Sequence, residues 1–176
     1  MANGNWLLLH DGSEFDLDNI DDSVRRMSIE TIALSLARQP RFNGHTSFFY
    51  SVAQHCYLMA TLFRGKKPRL EALMHDVAEV VLGDIPAPVK AQIPAIGQLE
   101  REIYAAFAQR FCLPPQLAPS IKHADLMMLA AERDQIMPAN PREWEVLRNV
   151  SPAPVEIVPW TEEQAFDAFL SMFYKF

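Results

Sequence analysis

Cysteine is scarce in this chain of 176 residues, with only Cys56 and Cys112 present. Two thiols make neither a disulfide framework nor a CxxC zinc motif, so both read as buried thiols in a reducing compartment. Basic charge is also short. The chain has 16 Lys and Arg against 22 Asp and Glu, a formal net charge of -6 and a pI near 5.3. That balance excludes the basic face of a dedicated duplex binder, so no polymeric nucleic acid is expected as partner. A small anion stays within reach, because a metal ion and one or two local cations suffice to hold it. No run approaches the roughly 20 apolar residues of a membrane span. The opening Met-Ala-Asn-Gly-Asn-Trp-Leu-Leu-Leu-His-Asp-Gly lacks the cationic start and long apolar stretch of a signal peptide. A cytoplasmic protein with no membrane partner is the expectation by elimination. No internal repeat or low-complexity tract is visible, and strand signals are weak throughout.

What the chain does have is apolar residues, 49% of the total, including 11 Phe, 3 Trp and 4 Tyr. That is enough for one real core, and the length suits a single domain over 1–176. Residues 5–9 read as a short strand or buried arm, and 10–22 as acidic and turn-like. Ser28 can cap a helix in which Ile29, Ile32, Ala33 and Leu36 recur, stopped by Pro40. Residues 41–46 form a loop. A helix over 47–63 puts Val52, Cys56, Met59, Ala60 and Phe63 on one face, with His55 inside it. Gly65 reads as a C-terminal signal in a loop over 64–68. The spacing predicts a further helix over about 69–82, ended by Gly83, then an irregular 84–88 with two prolines. Helices over about 96–111, 119–136 and 161–174 follow. Between the last two lies a Pro-rich loop at 138–159, read as an ordered surface loop. The last helix repeats Phe166, Phe169, Leu170 and Phe173 at i, i+3, i+4, i+7 and is core or a subunit interface. The expected fold is all-α, a bundle of six to seven helices with a short N-terminal arm.

Three of these apolar helices carry embedded polar residues of metal-ligand type. His75 and Asp76 stand between Leu73-Met74 and Val77-Ala78, with Glu79 over the same surface. His55 is flanked by Val52-Ala53 and Cys56-Tyr57-Leu58-Met59. Asp125 precedes Leu126-Met127-Met128-Leu129. Burying His, Asp and Glu in this way costs several kcal/mol unless a partner compensates, and a divalent cation would neutralise the carboxylates and take the imidazole lone pairs. Two imidazoles and two carboxylates suit one octahedral Mn, Co, Fe, Mg or Zn ion with open positions for water. Singly, each residue also has a plain structural reading: a lone buried His is commonly a hydrogen-bonded core residue, and Asp125 near a helix start favours the macrodipole. Order, spacing and context together carry the metal reading. His10, His45 and His123 read as surface or packing residues.

The order His, His-Asp, Asp on successive helices resembles the HD-domain metal-dependent phosphohydrolases. Ala72 to Lys90, with His75-Asp76, Glu79 and Gly83-Asp84-Ile85-Pro86-Ala87-Pro88-Val89-Lys90, resembles the HDxxE…GD[IL]PxPVK segment of the YfbR-like 5′-deoxynucleotidases. Ser51-Val52-Ala53-Gln54-His55 resembles their VxEHS helix, with Gln54 replacing Glu. Lys122-His123-Ala124-Asp125 resembles their KxAD. The resemblance spans roughly 40–135.

It implies a compact HD-domain bundle with one divalent ion on His55, His75, Asp76 and Asp125. It gives catalytic roles to Asp76 and to Glu79, which would position or deprotonate water, or protonate the leaving group. Asp84 would bind the sugar 3′-hydroxyl. Arg41 would grip phosphate and Phe42, replacing the usual Trp, would pack on sugar or base. Pro86 and Pro88 would wall the base pocket, and Lys90 and Lys122 would contact phosphate. The partner implied is a small deoxynucleotide, in a dimer or hexamer within a bacterium or phage-infected host. Phage relatives that strip triphosphate, or successive phosphates, from dATP share the scaffold and the short length. A non-catalytic helical binding protein with a retained metal site is the alternative of another class. A two-metal cyclic-nucleotide phosphodiesterase would need more histidines.

Overall fold

A computed structural model describes residues 4–176; residues 1–3 of the expected single domain lie outside the described residues. The expected all-α architecture is present. Nine α-helices are found among the described residues, more than the six to seven expected, because the structure breaks one helix and adds two short ones. No helix among them is long and apolar enough to cross a membrane.

The chain opens with an antiparallel ribbon of β1 (Trp6–Leu8) and β2 (Glu14–Asp16), in which Leu7 faces Phe15. β1 is exposed, so the arm is a surface strand and not a buried one. Only Phe15 enters the core. The stretch expected to be turn-like also holds the start of α1 (Ile20–Arg26). α2 (Ile29–Arg38) starts where Ser28 was expected to cap it, its hydroxyl accepting the Thr31 N–H. α3 (Val52–Thr61) is shorter than the expected 47–63, because Ser51 caps it by accepting from the Gln54 N–H. Gly65 then serves the next helix: with φ 88° it stands at the N-terminus of α4 (Lys66–Leu73). α5 (Glu79–Leu82) ends at Gly83, whose φ of 77° is open to glycine at no steric cost. α6 (Ala87–Lys90), α7 (Pro94–Arg110), α8 (Pro119–Gln135) and α9 (Glu162–Phe173) complete the set.

α3 lies at the centre, packed against α2, α4, α8 and α9. Its position follows from its sequence, whose apolar residues Val52, Ala53, Cys56, Met59 and Ala60 are all buried. The core runs through Ile32, Leu36, Cys56, Met59, Leu73, Phe107, Met128 and Phe169, all fully buried. α9 therefore uses its Phe face for the core. Its Thr161 and Gln164 form a reciprocal capping box. Thr161→Ala is expected to cost about 1 kcal/mol and lower Tm by about 2–4 °C in thermal unfolding.

The 138–159 segment is tied to α8 by hydrogen bonds. The Ala153 N–H donates to Met127 O at 2.8 Å. The Gln135 amide holds Val155 O and the Ile157 N–H, each at 2.9 Å. The segment thus lies along α8, and this placement gives it a part in the site.

Candidate metal centre

The helix expected over 69–82 is interrupted where it matters most. α4 ends at Leu73, residues 74–78 form tight turns, and α5 restarts at Glu79. The cause is local. The His75 Nδ1–H donates to Ala72 O at 2.8 Å, which is the carbonyl a continuous helix would give to the Asp76 N–H. Instead Glu79 N bonds Asp76 O, the i→i+3 pattern of a tight turn. The break brings His75 Nε2 to 3.1 Å from Asp76 Oδ2.

α3 supplies His55, whose Nε2 faces His75 Nε2 at 3.2 Å. α8 supplies Asp125, with Oδ1 at 3.3 Å from His55 Nε2 and 3.8 Å from His75 Nε2. All four expected ligands thus converge, from three separate segments. Bonds of about 2.1 Å to one ion would set neighbouring octahedral donors about 3.0 Å apart, close to these separations.

The protonation pattern also fits a cation. The His55 Nδ1–H donates to Glu132 Oε1 at 2.6 Å, and the His75 Nδ1–H is used on Ala72 O. Each ring therefore turns its Nε2 lone pair inward. Two lone pairs and two carboxylates aimed at one point repel unless a positive charge lies between them. Around that point stand Asp76, Asp125 and Glu132, with a single guanidinium, Arg41, paired to Asp76 and Glu132. Three ionised carboxylates against one fixed cation leave a deficit of two charges, which a divalent ion fills.

In the ion-free chain the same field acts on protons. Burial opposes charging of His75, but Asp76 holds its pKa well above the usual value. Burial and Arg41 oppose charging of His55, and Glu132 raises it nonetheless. Burial works against the charge on Asp125 too, but hydrogen bonds from both imidazoles hold it well below the carboxylate range. A metal ion must displace the imidazole protons, so raised pKa values make its binding steeply pH-dependent. Calorimetric titration with Mn(II) is expected to give an affinity that falls by at least about tenfold between about pH 8 and about pH 6. A pH-independent affinity would rule out the imidazoles as ligands.

The imidazoles are sealed from solvent, whereas the Asp125 side chain is 44% exposed and Asp76 20%. The open side of the cluster is thus the carboxylate side, which faces a cavity of about 680 Å³. Of the expected substrate residues, Arg41, Phe42, Asp84, Pro86, Pro88 and Lys90 line it together with Glu79. Lys122 does not; it is exposed on the first turns of α8, outside the lining. His10, His45 and His123 are all exposed, as expected of surface residues.

Three of these residues have occupations that residue type alone does not reveal. Arg41 is buried, with Nη1 at 3.3 Å from Asp76 Oδ2 and Nη2 at 3.3 Å from Glu132 Oε2. Its charge is spent largely on holding those carboxylates. Asp84 Oδ2 accepts the Phe42 N–H at 3.0 Å. That bond supports an unusual turn, since Phe42 and Asn43 sit at φ 54° and 51°. Lys90 is bonded to Glu100 at 2.6 Å.

Glu79 is 4% exposed, and its Oε2 has no hydrogen-bond partner among the described residues. Burial, reinforced by Asp76 and Asp84, pushes its carboxyl well above the usual range. Glu132, fully buried, went unpredicted. A signal for it existed: it lies seven residues after Asp125, on the same helical face, behind Ala130-Ala131. Arg142, Glu143, Trp144 and Val146 of the 138–159 loop also line the cavity unpredicted.

No protein-family model matches the chain. The chain is similar to the 5′-deoxynucleotidase VV1113 of Vibrio vulnificus, 26% identical over 105 residues, which are 60% of this chain and 44% of that protein. It is more similar to the uncharacterized protein RCAP_rcc00048 of Rhodobacter capsulatus, 40% identical over 74% of this chain and 72% of that one. It is 38% identical to the uncharacterized protein YfdR of Escherichia coli, over 90% of this chain and 87% of that one. At this extent of likeness the chain, which carries a His-His-Asp cluster that could hold a metal ion, belongs to the same family as YfdR and RCAP_rcc00048.

Proposed function

We propose that this protein is an HD-type, metal-dependent phosphohydrolase that removes phosphate from 5′-deoxynucleotides. The observation that carries the reading is the convergence of His55, His75, Asp76 and Asp125 at the closed end of a nucleotide-sized cavity. The partial likeness to a 5′-deoxynucleotidase supports it independently. A homo-oligomer in the cytoplasm is proposed with it.

A divalent ion on these four side chains would supply Lewis acidity to a phosphate oxygen and lower the pKa of a bound water. The chain's own residues do the rest. Glu79 turns a buried carboxyl with an unpartnered oxygen toward the cavity, placed to pass a proton to a leaving oxygen or to accept one from water. Arg41 fixes the Asp76 carboxylate in place. Asp84 holds the Phe42 turn in place and offers an acceptor to a sugar hydroxyl. Phe42, Ile85, Pro86 and Pro88 give apolar walls that exclude water.

The test is hydrolysis of each dNMP, dNDP and dNTP with Co(II) or Mn(II), with both products identified. Deoxynucleoside and orthophosphate from dNMPs are expected. Triphosphate released from dNTPs would instead assign the phage-type reaction to the same site. No turnover of any deoxynucleotide, by a protein that does bind the ion, would leave the non-catalytic binding protein.

A further inference from the structure

Arg142 and Trp144 line the cavity from the 138–159 loop, and neither belongs to the metal cluster. The cavity has three cationic side chains. Arg41 is committed to Glu132 and Asp76, and Lys90 to Glu100. Arg142 makes no ion pair among the described residues; its recorded bond is a backbone one, to Asn140 Oδ1. Trp144 is half-buried, and its backbone is held by a short turn. The Leu147 N–H donates to Trp144 O at 2.8 Å, and Leu147 itself is buried. The indole is thus carried on an anchored segment that also brings Arg142, without an ion pair among the described residues, to the same cavity. Leu129, one turn beyond Asp125 on α8, and Val146 extend the apolar surface around it.

From these observations we propose that Trp144 is the platform on which the substrate's nucleobase stacks, with Arg142 donating to acceptor atoms on the base edge. The 142–146 stretch is then the element that selects the base. An aromatic face accepts any base. A guanidinium fork matches the paired N7 and O6 acceptors of guanine, whereas adenine sets an amino donor beside its N7. This inference rests on the phosphohydrolase reading above.

The experiment compares the full chain with W144A, W144F and R142A, supplied with Mn(II), on dGMP, dAMP and base-free 2-deoxyribose 5-phosphate. In W144A the ratio of kcat/KM for dGMP to that for the base-free sugar falls about tenfold, and W144F restores most of it. In R142A, dGMP loses about tenfold more than dAMP. A loss that is equal on the base-free sugar overturns the proposal, as does no loss at all. Fluorescence of a W6F/W160F variant, which retains Trp144, separates the two readings. Quenching by dGMP without hydrolysis keeps the base platform and defeats the phosphohydrolase. Hydrolysis without quenching does the reverse, and neither signal defeats both.

Discussion

Replacing His75 by alanine is expected to remove the divalent ion and to lower deoxynucleotide hydrolysis by at least about a thousandfold, a loss of about 4 kcal/mol of transition-state stabilisation. The size follows from what the residue does. His75 gives the cluster one of its two sealed nitrogen donors, and its Nδ1–H shapes the turn that delivers Asp76. Removing the ring therefore withdraws one ligand and releases a second. The same change relieves the break between α4 and α5, since Ala72 O is again free for the Asp76 N–H. Stability is expected to change little while metal binding is lost. Dialysis equilibrium with Mn(II), alongside product assays, measures both. A H75A protein that retains one ion per chain and wild-type turnover would contradict the assignment.

Glu132→Ala is expected to have the second large effect, and to differ in kind. Glu132 is fully buried, accepts the His55 Nδ1–H at 2.6 Å and faces Arg41 at 3.3 Å on both of its oxygens. Burial works against its charge, but Arg41 and His55 hold its pKa below the usual value. Its removal strands a buried guanidinium with Asp76 alone and leaves a ring N–H without an acceptor. Breaking a buried pair from one side costs about 3–5 kcal/mol, or roughly 10 °C of Tm in a chain this size. His55 also loses the partner that fixes its tautomer, so affinity for the ion is expected to fall about 10–100-fold. Glu132→Gln, which keeps an acceptor for His55 but not the charge, should recover part of each loss. Thermal unfolding and calorimetric metal titration report the two effects separately. Wild-type Tm and affinity in E132A would mean that neither Arg41 nor His55 depends on it.

Much of this site can be read in the chain because polar residues inside apolar helices are conspicuous. His55, His75-Asp76 and Asp125 interrupt runs that otherwise read as core, and the structure brings them to one point. Glu132 meets the same criterion, but a helical position two turns from Asp125 says nothing of a partner on α3. The break at 74–78 is not written in periodicity; it arises from a side chain competing for a backbone carbonyl. α1 was hidden because Asp21, Asp22, Arg25 and Arg26 leave Val24 as its one fully buried apolar residue. Arg41 was expected to face phosphate, and residue type could not reveal that two carboxylates already hold it. The walls given by Arg142 and Trp144 depend on the 138–159 loop lying along α8, a tertiary fact carried by bonds such as Ala153 N–H to Met127 O.

The central claim is that four side chains hold one ion at the closed end of the cavity. Anomalous diffraction from crystals grown with Mn(II) tests it most directly. The account predicts a single peak about 2.1 Å from His55 Nε2 and His75 Nε2, in contact with Asp76 and Asp125 and open toward Glu79. Featureless density between the two imidazoles, or a peak bound only elsewhere in the chain, would contradict it.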